Sequence, residues 1–533
     1  MGMFKFIATY LKKFKYKILV YLLMAIFQWG SLLLIPVIIS KYIDKVFYDK
    51  ISDARLIVVF IAIILVWGIS SYLVTFLLNL ICNYLAHDMQ IDAFKHIRKS
   101  KLKEINVDNP TVMTSKINNG AFLIPAFFLN TGVQALLSII GLVIILFVMA
   151  YINKLVLLAT LIILGLNLIV VKLFKNILNK INYKLQETQS VFFAALNNQI
   201  TNIKLVKTNV WFNEVEEEIE NSFDDVKDAF MKKTKVDNTY KVLIESFKYI
   251  STLVLLLIVA DGMLKGNTSV GDFQLIYSYS SIALGYLTTA IGIIPSYHEV
   301  KTYYSRFKEV LDIPREHNGN MIMNEINNIS VNNLTFGYDN KNDILKNITT
   351  NFEKGKLYIL KGHNGRGKST FLNVVLGLYE DYHGEILFNN ESIRDIDLYD
   401  TRKRLICKVE QEPKLINASV LENLIYGNEN YDSEYLSYLI NKFNIPALDT
   451  IIDSKSDNIS GGQKQKISII RSLLKLHNTN NSLLILDEPS SALDKKGGEL
   501  LVEEISNIKE DNIIIVISHD ELFEEVCDEV VSL

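Results

Sequence analysis

Cysteine is scarce in this chain, and neither sign of charge is in clear excess. The 533 residues include three cysteines, Cys82, Cys407 and Cys527. These lie far apart and have neither paired nor metal-ligand spacing, which argues against a disulfide framework or a zinc site. The formal net charge is −3 at pH 7, so the composition lacks the basic excess that accompanies nucleic-acid binding.

Charged residues are also few, at 21%, whereas hydrophobic residues make up 50% of the chain. Residues 18–40 form an apolar run longer than the roughly 20 residues that a bilayer needs, and too long for a signal-peptide core. Further runs of this kind follow. The sequence therefore predicts six membrane spans, at about 18–40, 56–81, 121–150, 155–171, 242–260 and 270–295.

Basic residues are concentrated in the two long connections between the spans, at 82–120 and 172–241. The other connections are short and not strongly basic. The positive-inside rule therefore places the two long connections, the N-terminus and the C-terminal half in the cytoplasm. The helical periodicity of the long connections predicts that the membrane helices continue into the cytosol as polar extensions. The lysine-rich residues 1–17 predict an amphipathic helix on the cytoplasmic membrane surface.

A few polar side chains interrupt the predicted spans. We interpret the amides among them as hydrogen-bonding partners between helices. The acid Glu245 is either a substrate ligand or a helix-end charge that is solvated or paired with Lys248. The amides are Gln28, Asn79, Asn130, Gln134 and Asn167.

The sequence pattern changes after the sixth span. A charged helical stretch is interrupted by Pro314, and from Ile329 onward short strands alternate with helices. This alternation is typical of an α/β domain. The sequence therefore predicts a helical membrane domain at 1–312, a linker at 313–326 and an α/β domain at 327–533.

The segment from Lys361 to Thr370 matches the pattern G-x-x-x-x-G-K-[ST]. An apolar run of strand length precedes it and a possible helix follows, which is the context in which this motif is credible. Glycines let the backbone wrap so that N–H groups point at phosphate oxygens, and the helix N-terminus adds its positive end. Lys368 would reach the β- and γ-phosphates of a nucleotide, and the Ser369 hydroxyl would bind Mg²⁺. The alternative is a glycine-rich turn with a solvated lysine. The candidate phosphate-binding residues are Gly362, His363, Asn364, Gly365, Arg366, Gly367, Lys368, Ser369 and Thr370.

Further clusters surround this motif. Tyr338, thirty residues before Lys368, would stack on a nucleotide base. Gln411 follows a strand-like run, and Leu483–Glu488 reads as a buried strand that ends in two acids. The remaining clusters are Asn458–Gln463 at the start of a helix, Ser491–Asp494, and a buried strand that ends in Ser518 and His519.

These clusters, in this order, resemble the nucleotide-binding domain of an ABC transporter, and the whole chain resembles a half-size ABC exporter. In the membrane half, Gly271-Asp272-Phe273 and Asn202–Lys207 resemble two local segments of the family. The resemblance implies an all-α six-helix transmembrane domain followed by an α/β P-loop NTPase domain, with ATP and Mg²⁺ as its cofactors.

The resemblance also implies roles for the polar clusters. Asp487 would hold Mg²⁺ directly or through water, and Glu488 would be the general base for the attacking water. His519 would contact the γ-phosphate, and Gln411 would sense Mg²⁺ and the lytic water. The alternatives are a solvated Asp487–Glu488 pair and a core histidine.

The remaining motif residues imply a second copy of the chain. In the family, residues matching Ser460, Gly461, Gly462 and Gln463 face the ATP held by the partner subunit, and Asp494 would lie at the dimer seam. One chain carries one motif of each kind, so we expect a homodimer. The alternative for Ser460 is an ordinary helix N-cap.

The chain departs from the family pattern in several places. Arg366 occupies a loop position that usually holds a small residue, and its cation would lie near the phosphates. The Gly-Glu that usually precedes the signature is replaced by Asp453-Ser454, the segment from Gln411 to Ser460 is short, and fourteen residues follow His519. None of these departures removes a catalytic group.

The resulting hypothesis is an ATP-driven exporter of a hydrophobic or amphipathic substrate, namely a peptide, drug or lipid, in a bacterial cytoplasmic membrane. Short helices near 104–112 and 198–206 would transmit motion between the domains. No cysteine-protease domain precedes the first span, which argues against a leader-cleaving peptide exporter. The alternatives are a lipid flippase and an ATP-gated channel or regulatory membrane protein of the same architecture.

Overall fold

The computed structural model describes residues 2–105, 110–338, 342–363, 365–428, 430–445, 447–453, 458–479 and 481–533. The chain forms two compact units, residues 1–93 with 113–310, and residues 94–112 with 311–533. The second unit thus includes a short segment from the first half of the chain. The domain bounds given above from the sequence stay predictions.

The first half of the chain is helical. Its helices follow one another with short connections, and several are far longer than a bilayer crossing. They are α1 (Met3–Leu11), α2 (Lys15–Asp44), α3 (Ala54–Ile97), α4 (Leu102–Ile105), α5 (Pro110–Ala126), α6 (Val133–Ile152), α7 (Lys154–Thr201), α8 (Ile203–Asn209), α9 (Phe212–Leu264) and α10 (Val270–Leu311).

Among the described residues, five helical stretches are long and apolar enough to cross a membrane, and they contain the first five predicted spans. They are Met3–Asp49, Ala54–Ile97, Val112–Ile152, Lys154–Thr201 and Phe212–Leu264.

The sixth predicted span lies in α10, which is a continuous helix of 42 residues but is not one of those five stretches. Its exposed face carries polar and small residues, including Tyr277, Thr288 and Thr289, while Ile276 and Ala283 are buried on the other face. This mixture lowers the mean hydropathy of α10 below that of a lipid-facing helix.

The long helices confirm the predicted polar extensions. α7 contains 48 residues and α9 contains 53. At about 1.5 Å per residue these helices are roughly 70–80 Å long, more than twice the thickness of the bilayer core. Much of each helix therefore lies outside the apolar region.

Hydrogen bonds and close packing join the helices of the first unit. The Tyr279 hydroxyl donates to the Leu33 carbonyl at 2.8 Å, and Gln28 donates to Ser71 on the next helix at 3.2 Å. The latter bond confirms the predicted interhelical role for one of the span amides. Asn167, by contrast, donates to the Ile163 carbonyl one turn earlier in its own helix at 3.0 Å. For Asn167 the interhelical prediction was therefore wrong, because Ser, Thr and Asn side chains readily bond back within a helix.

The start of α10 is fixed to the end of α2. The Asp44 carboxylate accepts from the Gly271 N–H and from the Ser269 hydroxyl, both at 2.7 Å. A carboxylate at a helix N-terminus is favourable because the helix dipole is positive there. A Cβ at Gly271 would collide with the Ser40 carbonyl oxygen, which explains the glycine of the Gly271-Asp272-Phe273 segment.

The second unit is α/β, as predicted, and contains two sheets. The four-stranded antiparallel sheet has the order β2-β1-β4-β5, and the five-stranded parallel sheet has the order β6-β7-β8-β3-β9. The strands are β1 (Asn328–Phe336), β2 (Leu345–Glu353), β3 (Leu357–Lys361), β4 (His383–Phe388), β5 (Glu391–Ser392), β6 (Ile406–Val409), β7 (Leu483–Asp487), β8 (Ile513–Ile517) and β9 (Glu529–Ser532).

Helices of the second unit complete its cores. They are α11 (Lys368–Val375), α12 (Leu398–Arg404), α13 (Val420–Ile425), α14 (Ser433–Phe443), α15 (Gly461–His477), α16 (Lys495–Ile508) and α17 (Glu521–Glu524). Strands β7 and β8 are buried along their whole length, as expected for parallel strands whose two faces are covered. The carboxyl ends of these strands and of β3 meet at one sheet edge, which is where ligands bind in open α/β sheets.

Candidate nucleotide-binding site

The loop between β3 and α11 adopts a conformation that only glycine takes readily. Gly365 and Gly367 have φ of +83° and +90°, in the left-handed region that disfavours other residues. A Cβ at Gly367 would also lie 2.6 Å from Ile344 Cγ2. The loop therefore wraps tightly onto the N-terminus of α11. The predicted phosphate-binding residue Asn364 lies outside the described residues.

Lys368 is buried at the first position of α11, with 8% of its surface exposed. Its Nζ donates to the Gly362 carbonyl oxygen at 2.6 Å. The ammonium group thus lies across the loop at the point where phosphates would enter, and it is not a solvated surface charge.

Ser369 and Asp487 bring a hydroxyl and a carboxylate together at the sheet edge. The Ser369 hydroxyl donates to Asp487 Oδ2 at 3.0 Å. Burial raises the pKa of the Asp487 carboxyl, and the bond from Ser369 and the charge of Lys408 only partly oppose that effect. Hydroxyl and carboxylate oxygens are ligands that Mg²⁺ prefers, so these residues fit that ion.

Glu488 follows Asp487 and is held by an amide. Gln411 Nε2 donates to Glu488 Oε2 at 2.6 Å, and the Glu488 N–H donates to the Ile517 carbonyl at 2.8 Å. The backbone φ of Glu488 is +46°, which is uncommon for a residue with a Cβ and typical of strain at functional sites. The two acids are therefore individually partnered, and they are not a solvated pair.

Lys368, Ser369, Gln411 and Glu488 line one open cleft of about 480 Å³, and Asp487 adjoins it through its bond from Ser369. Ile344 also lines the cleft, and the sequence reading missed it because an apolar residue outside a motif carries no chemical signal. The lining residues are Ile344, His363, Gly365, Gly367, Lys368, Ser369, Thr370, Gln411 and Glu488.

Tyr338 lies beside the first turn of α11. Its hydroxyl oxygen is 3.1 Å from Thr370 Oγ1, and 42% of its surface is exposed. The Tyr338 ring packs edge-on against Phe336 and Tyr379, each with a centroid distance of 5.3 Å. The tyrosine is thus fixed at the loop's edge while leaving surface free for a ligand.

His519 follows β8 and is exposed, so it is not a core histidine. It lines a second cleft of about 1060 Å³ together with His363 and Arg366. His363 lines both clefts, so the two clefts meet at the phosphate-binding loop. The nearby Lys361 is paired with Glu524 at 2.5 Å.

Ser460 is the N-cap of α15, as the alternative interpretation proposed. The Gln463 N–H donates to its hydroxyl at 3.3 Å, and the Gln463 Oε1 accepts from the Ser460 N–H at 3.0 Å. A Cβ at Gly462 would lie 2.7 Å from the Ala492 carbonyl oxygen, and Gly461 is exposed. Neither of the two clefts described above includes these residues.

Asp494 is exposed and caps α16, where its Oδ1 accepts from the Gly497 N–H at 3.2 Å. It also lies outside both clefts. Within one chain, the structure therefore brings together the loop, Gln411, Asp487 and Glu488, but not Ser460 or Asp494.

The fold and this cleft define a P-loop ATPase fused to membrane helices. The family model for the ABC transporter transmembrane region matches residues 18–287, and the ABC transporter model matches residues 345–491. The chain belongs to the ABC transporter family.

Three similar proteins span most of the chain. An export ATP-binding/permease protein of Rickettsia conorii is 24% identical over 96% of this chain and 91% of its own length. The pediocin PA-1 transport/processing ATP-binding protein of Pediococcus acidilactici is 25% identical over 90% of this chain and 67% of its own length. The structure of a bacterial Atm1-family ABC exporter with ATP bound superimposes with a TM-score of 0.80 at 17% identity, covering 97% of this chain and 93% of that one.

The chain is therefore a multi-pass membrane protein of the export ATP-binding/permease type, and it binds ATP. It carries one transmembrane region and one ATP-binding domain, as a half-size exporter does. Its enzymatic activity is ATP hydrolysis coupled to transport.

Proposed function

We propose that this chain exports a hydrophobic or amphipathic substrate, namely a peptide, drug or lipid, across the cytoplasmic membrane of a bacterium by alternating access. The cleft formed by the loop, Ser369–Asp487 and Gln411–Glu488 is the observation that carries this proposal. It supplies an ATPase site in the same chain as membrane-spanning helices. The relative in Pediococcus acidilactici is named for transport of pediocin PA-1, which supports transport as the activity.

The chemistry at the cleft follows from the observed contacts. The Lys368 ammonium would exchange its bond to Gly362 for phosphate oxygens, and the first N–H groups of α11 would bind the same phosphates. Ser369 and Asp487 would hold Mg²⁺, which compensates phosphate charge when bound. Tyr338 would contact the base, because it lies beside α11 and 42% of its surface is exposed.

The hydrolytic step is assigned to Glu488. Its carboxylate would accept a proton from the attacking water, while Gln411, 2.6 Å away, would orient both groups. His519 would stabilise the γ-phosphate from the second cleft, which meets the first at His363. The Arg366 guanidinium has no side-chain partner among the described residues and would add positive charge near the phosphates.

We further propose that the working unit is a homodimer. Ser460 and Asp494 lie outside the cleft of their own chain, so each would serve the cleft of a second copy. The tip of the α7–α9 hairpin supports the same proposal, because it exposes apolar side chains such as Leu205, Trp211 and Phe212. Exposed apolar side chains that lie close together in the sequence favour a binding surface. A second copy would cover it.

The proposed orientation puts the N-terminus, the long connections at 82–120 and 172–241, and the ATPase domain in the cytoplasm. Its support is the concentration of lysine and arginine in the connections at 82–120 and 172–241. In this orientation α8, at residues 203–209, would be the cytoplasmic element that transmits motion between membrane helices and ATPase.

Transport in inside-out vesicles tests the proposal. A labelled amphipathic peptide, a hydrophobic dye and a fluorescent phospholipid would each be offered with ATP and Mg²⁺. The expected result is ATP-dependent accumulation of at least one probe against its gradient, absent with a non-hydrolysable ATP analogue and in Glu488→Gln. ATP-dependent ion conductance with no accumulation of any probe would contradict export and indicate a channel.

A further inference from the structure

The third apolar stretch, Val112–Ile152, contains an irregular turn. Between α5 and α6, residues Phe127–Gly132 form a π-helical turn, whose backbone bonds span five residues where those of an α-helix span four. This π turn is held from α2, because the buried Tyr21 hydroxyl donates to the Leu129 carbonyl at 2.5 Å. Single π-helical turns inside α-helices are frequent at functional sites. The π turn is therefore a fixed distortion of a membrane span and a candidate binding element.

Two amide side chains lie at the π turn and one turn beyond it. Gln134 Nε2 donates to Asn130 Oδ1 at 2.7 Å. Asn130 is half-buried and Gln134 is exposed, and the described part of the chain gives neither of them a hydrogen bond to another helix. Within the described chain, the interhelical bonds predicted for these two amides are therefore not formed.

The bond between the two amides leaves part of each group unused. An amide carries one nitrogen and one oxygen, so a single bond between two of them leaves one nitrogen and one oxygen. Here these atoms are Asn130 Nδ2 and Gln134 Oε1, for which the described residues supply no partner. Unpaired polar groups are costly at the depth of a membrane span. A ligand that offers one acceptor and one donor would remove that cost.

The span around the amide pair carries no charge. Residues 121–150 include neither an acid nor a base. A phosphate headgroup would need a cation at this place and a cationic drug would need a carboxylate, because charges away from water are paired. A secondary amide, by contrast, is neutral and presents one C=O acceptor and one N–H donor. Of the three substrate classes proposed above, the peptide is the one that carries this group at every residue.

We propose that Asn130 and Gln134 bind the backbone of a hydrophobic, uncharged peptide. Asn130 Nδ2 donates to a peptide C=O, and Gln134 Oε1 accepts from a peptide N–H. This inference rests on the proposed function and selects one of its substrate classes. Because both contacts are to backbone groups, the site accepts peptides of different sequence and disfavours a peptide whose backbone nitrogens are methylated.

The test compares two fluorescent probes on the full chain in lipid nanodiscs. One probe is an end-capped, dansyl-labelled hexapeptide of alanine and leucine, and the other is the same peptide methylated at its backbone nitrogens, which lacks the N–H donors. Fluorescence anisotropy, corrected for binding to empty nanodiscs, gives a dissociation constant for each probe. The wild type should bind the unmethylated probe about tenfold more tightly, the effect of one or two hydrogen bonds. Equal affinity for the two probes would overturn the inference, and this comparison requires no substitution.

Two nearly isosteric substitutions locate the site. Asn130→Leu and Gln134→Met should each weaken binding of the unmethylated probe by about threefold to tenfold and leave binding of the methylated probe unchanged. Gln28→Met is the matched control, because it removes a span amide that already donates to Ser71, and it should keep the wild-type preference. Equal losses for both probes, or the same loss of preference in Gln28→Met, would contradict the inference.

Other occupants of the amide pair predict different results. If a second copy of the chain bonded Asn130 and Gln134, the two variants would lower the mass of the particle in detergent and leave the preference between the probes unchanged. If a phospholipid headgroup bonded them, both variants would bind a dansyl-labelled phospholipid more weakly than the wild type does. Either result would overturn the assignment to a peptide.

Transport in inside-out vesicles separates failure of this inference from failure of the proposed function. ATP-dependent accumulation of the dye or the phospholipid, together with equal affinity for the two peptide probes, would overturn this inference alone. If wild-type vesicles hydrolyse ATP but accumulate no probe of any class, the proposed function itself is overturned.

Discussion

Two helices begin at predicted nucleotide contacts, and their first turns differ. α11 starts after Gly367, which has no side chain, and none of the described residues caps that start through a side chain. α15 starts at Ser460, where a reciprocal Ser460–Gln463 capping box occupies the end of the helix. An uncapped N-terminus leaves N–H donors for an external anion, whereas a capped one has already satisfied two of them.

The difference suggests distinct modes of phosphate binding at the two ends. At α11 the backbone itself would bind phosphate, assisted by Lys368. At α15 a phosphate would meet an exposed serine and the exposed Gly461, and binding there would require the capping bonds to be shared or exchanged. The first end lies with its cleft within one chain, whereas the second, in the homodimer we propose, serves the cleft of a second copy.

Removing the lysine at the α11 end should have the largest effect. Lys368→Ala leaves the phosphate charge less compensated, so ATP affinity and hydrolysis should both fall, with hydrolysis down about 10²-fold or more. The measurements are steady-state ATPase activity and nucleotide binding. Lys346→Ala, an exposed lysine on β2, is the control and should behave as wild type. Near-full activity of Lys368→Ala would refute the role given to the α11 end.

Glu488→Gln tests whether both helix ends act together. The substitution keeps the shape of the side chain but removes the carboxylate, which acts as a base only in the transition state. Turnover of ATP should therefore fall by about 10²-fold or more, while ATP still binds. Because Ser460 would still engage ATP on the opposite copy, an ATP-loaded dimer should accumulate, measured by bound nucleotide and by mass in solution. Glu510→Gln, at an exposed acid, is the control. A variant that stays monomeric with ATP and Mg²⁺ in detergent and in lipid would contradict the homodimer.

Ser460→Ala can be compared with the same substitution at a serine that caps another helix. Ser419 forms the same capping box at the start of α13. Loss of either cap should lower the free energy of unfolding by about 1 kcal/mol. Only Ser460→Ala should also reduce ATP hydrolysis, because Ser419 has no proposed nucleotide contact. Equal ATPase activity in the two variants, at equal stability loss, would leave Ser460 as an N-cap and nothing more.

The smallest expected effect concerns the acid beside α11. The pKa of Asp487 is raised by burial, so the folded state holds this proton at pH values where the unfolded state has released it. The free energy of unfolding therefore falls as pH rises from the unfolded pKa of Asp487 through its folded pKa, and the penalty is complete above the folded pKa.

Asp487→Asn removes that penalty without changing size. The nucleotide-free variant should melt at a higher temperature than wild type at pH 7. The difference between the two melting temperatures should become smaller towards about pH 4, near the pKa of Asp487 in the unfolded chain. Hydrolysis should nevertheless be lost. Asp449→Asn, at an exposed acid outside both clefts, is the control for thermal unfolding at the same pH values. An Asp487→Asn melting temperature below that of wild type at pH 7 would contradict the assigned cost of burial.

The nucleotide cleft was largely predictable because its information is local. A strand, a glycine loop and a helix occupy consecutive residues, and the chemistry of Lys368 and Ser369 follows from their place in that run. The acids Asp487 and Glu488 were predictable for the same reason, since they end a continuous apolar strand. Ile344 was not, because its contact with Gly367 exists only after the chain has folded.

The membrane half shows the same division. Five spans were evident from hydropathy, which depends on neighbouring residues alone. The lower hydropathy of α10 is likewise a property of its own residues. The attachment of Asp44 to Gly271, by contrast, joins residues 227 positions apart and could not be read from a single segment.

By itself, the sequence determined the ATP-binding motif, the order of the candidate catalytic groups and the membrane character of the first half, because spacing and hydropathy act within short stretches. Only the tertiary structure decided that the loop lines two clefts, that Ser460 lies outside both of them, and that residues 94–112 join the unit containing the ATPase site. Those outcomes depend on contacts between residues far apart in the chain. Such contacts form only where the packing of the whole unit brings the partners within a few ångströms.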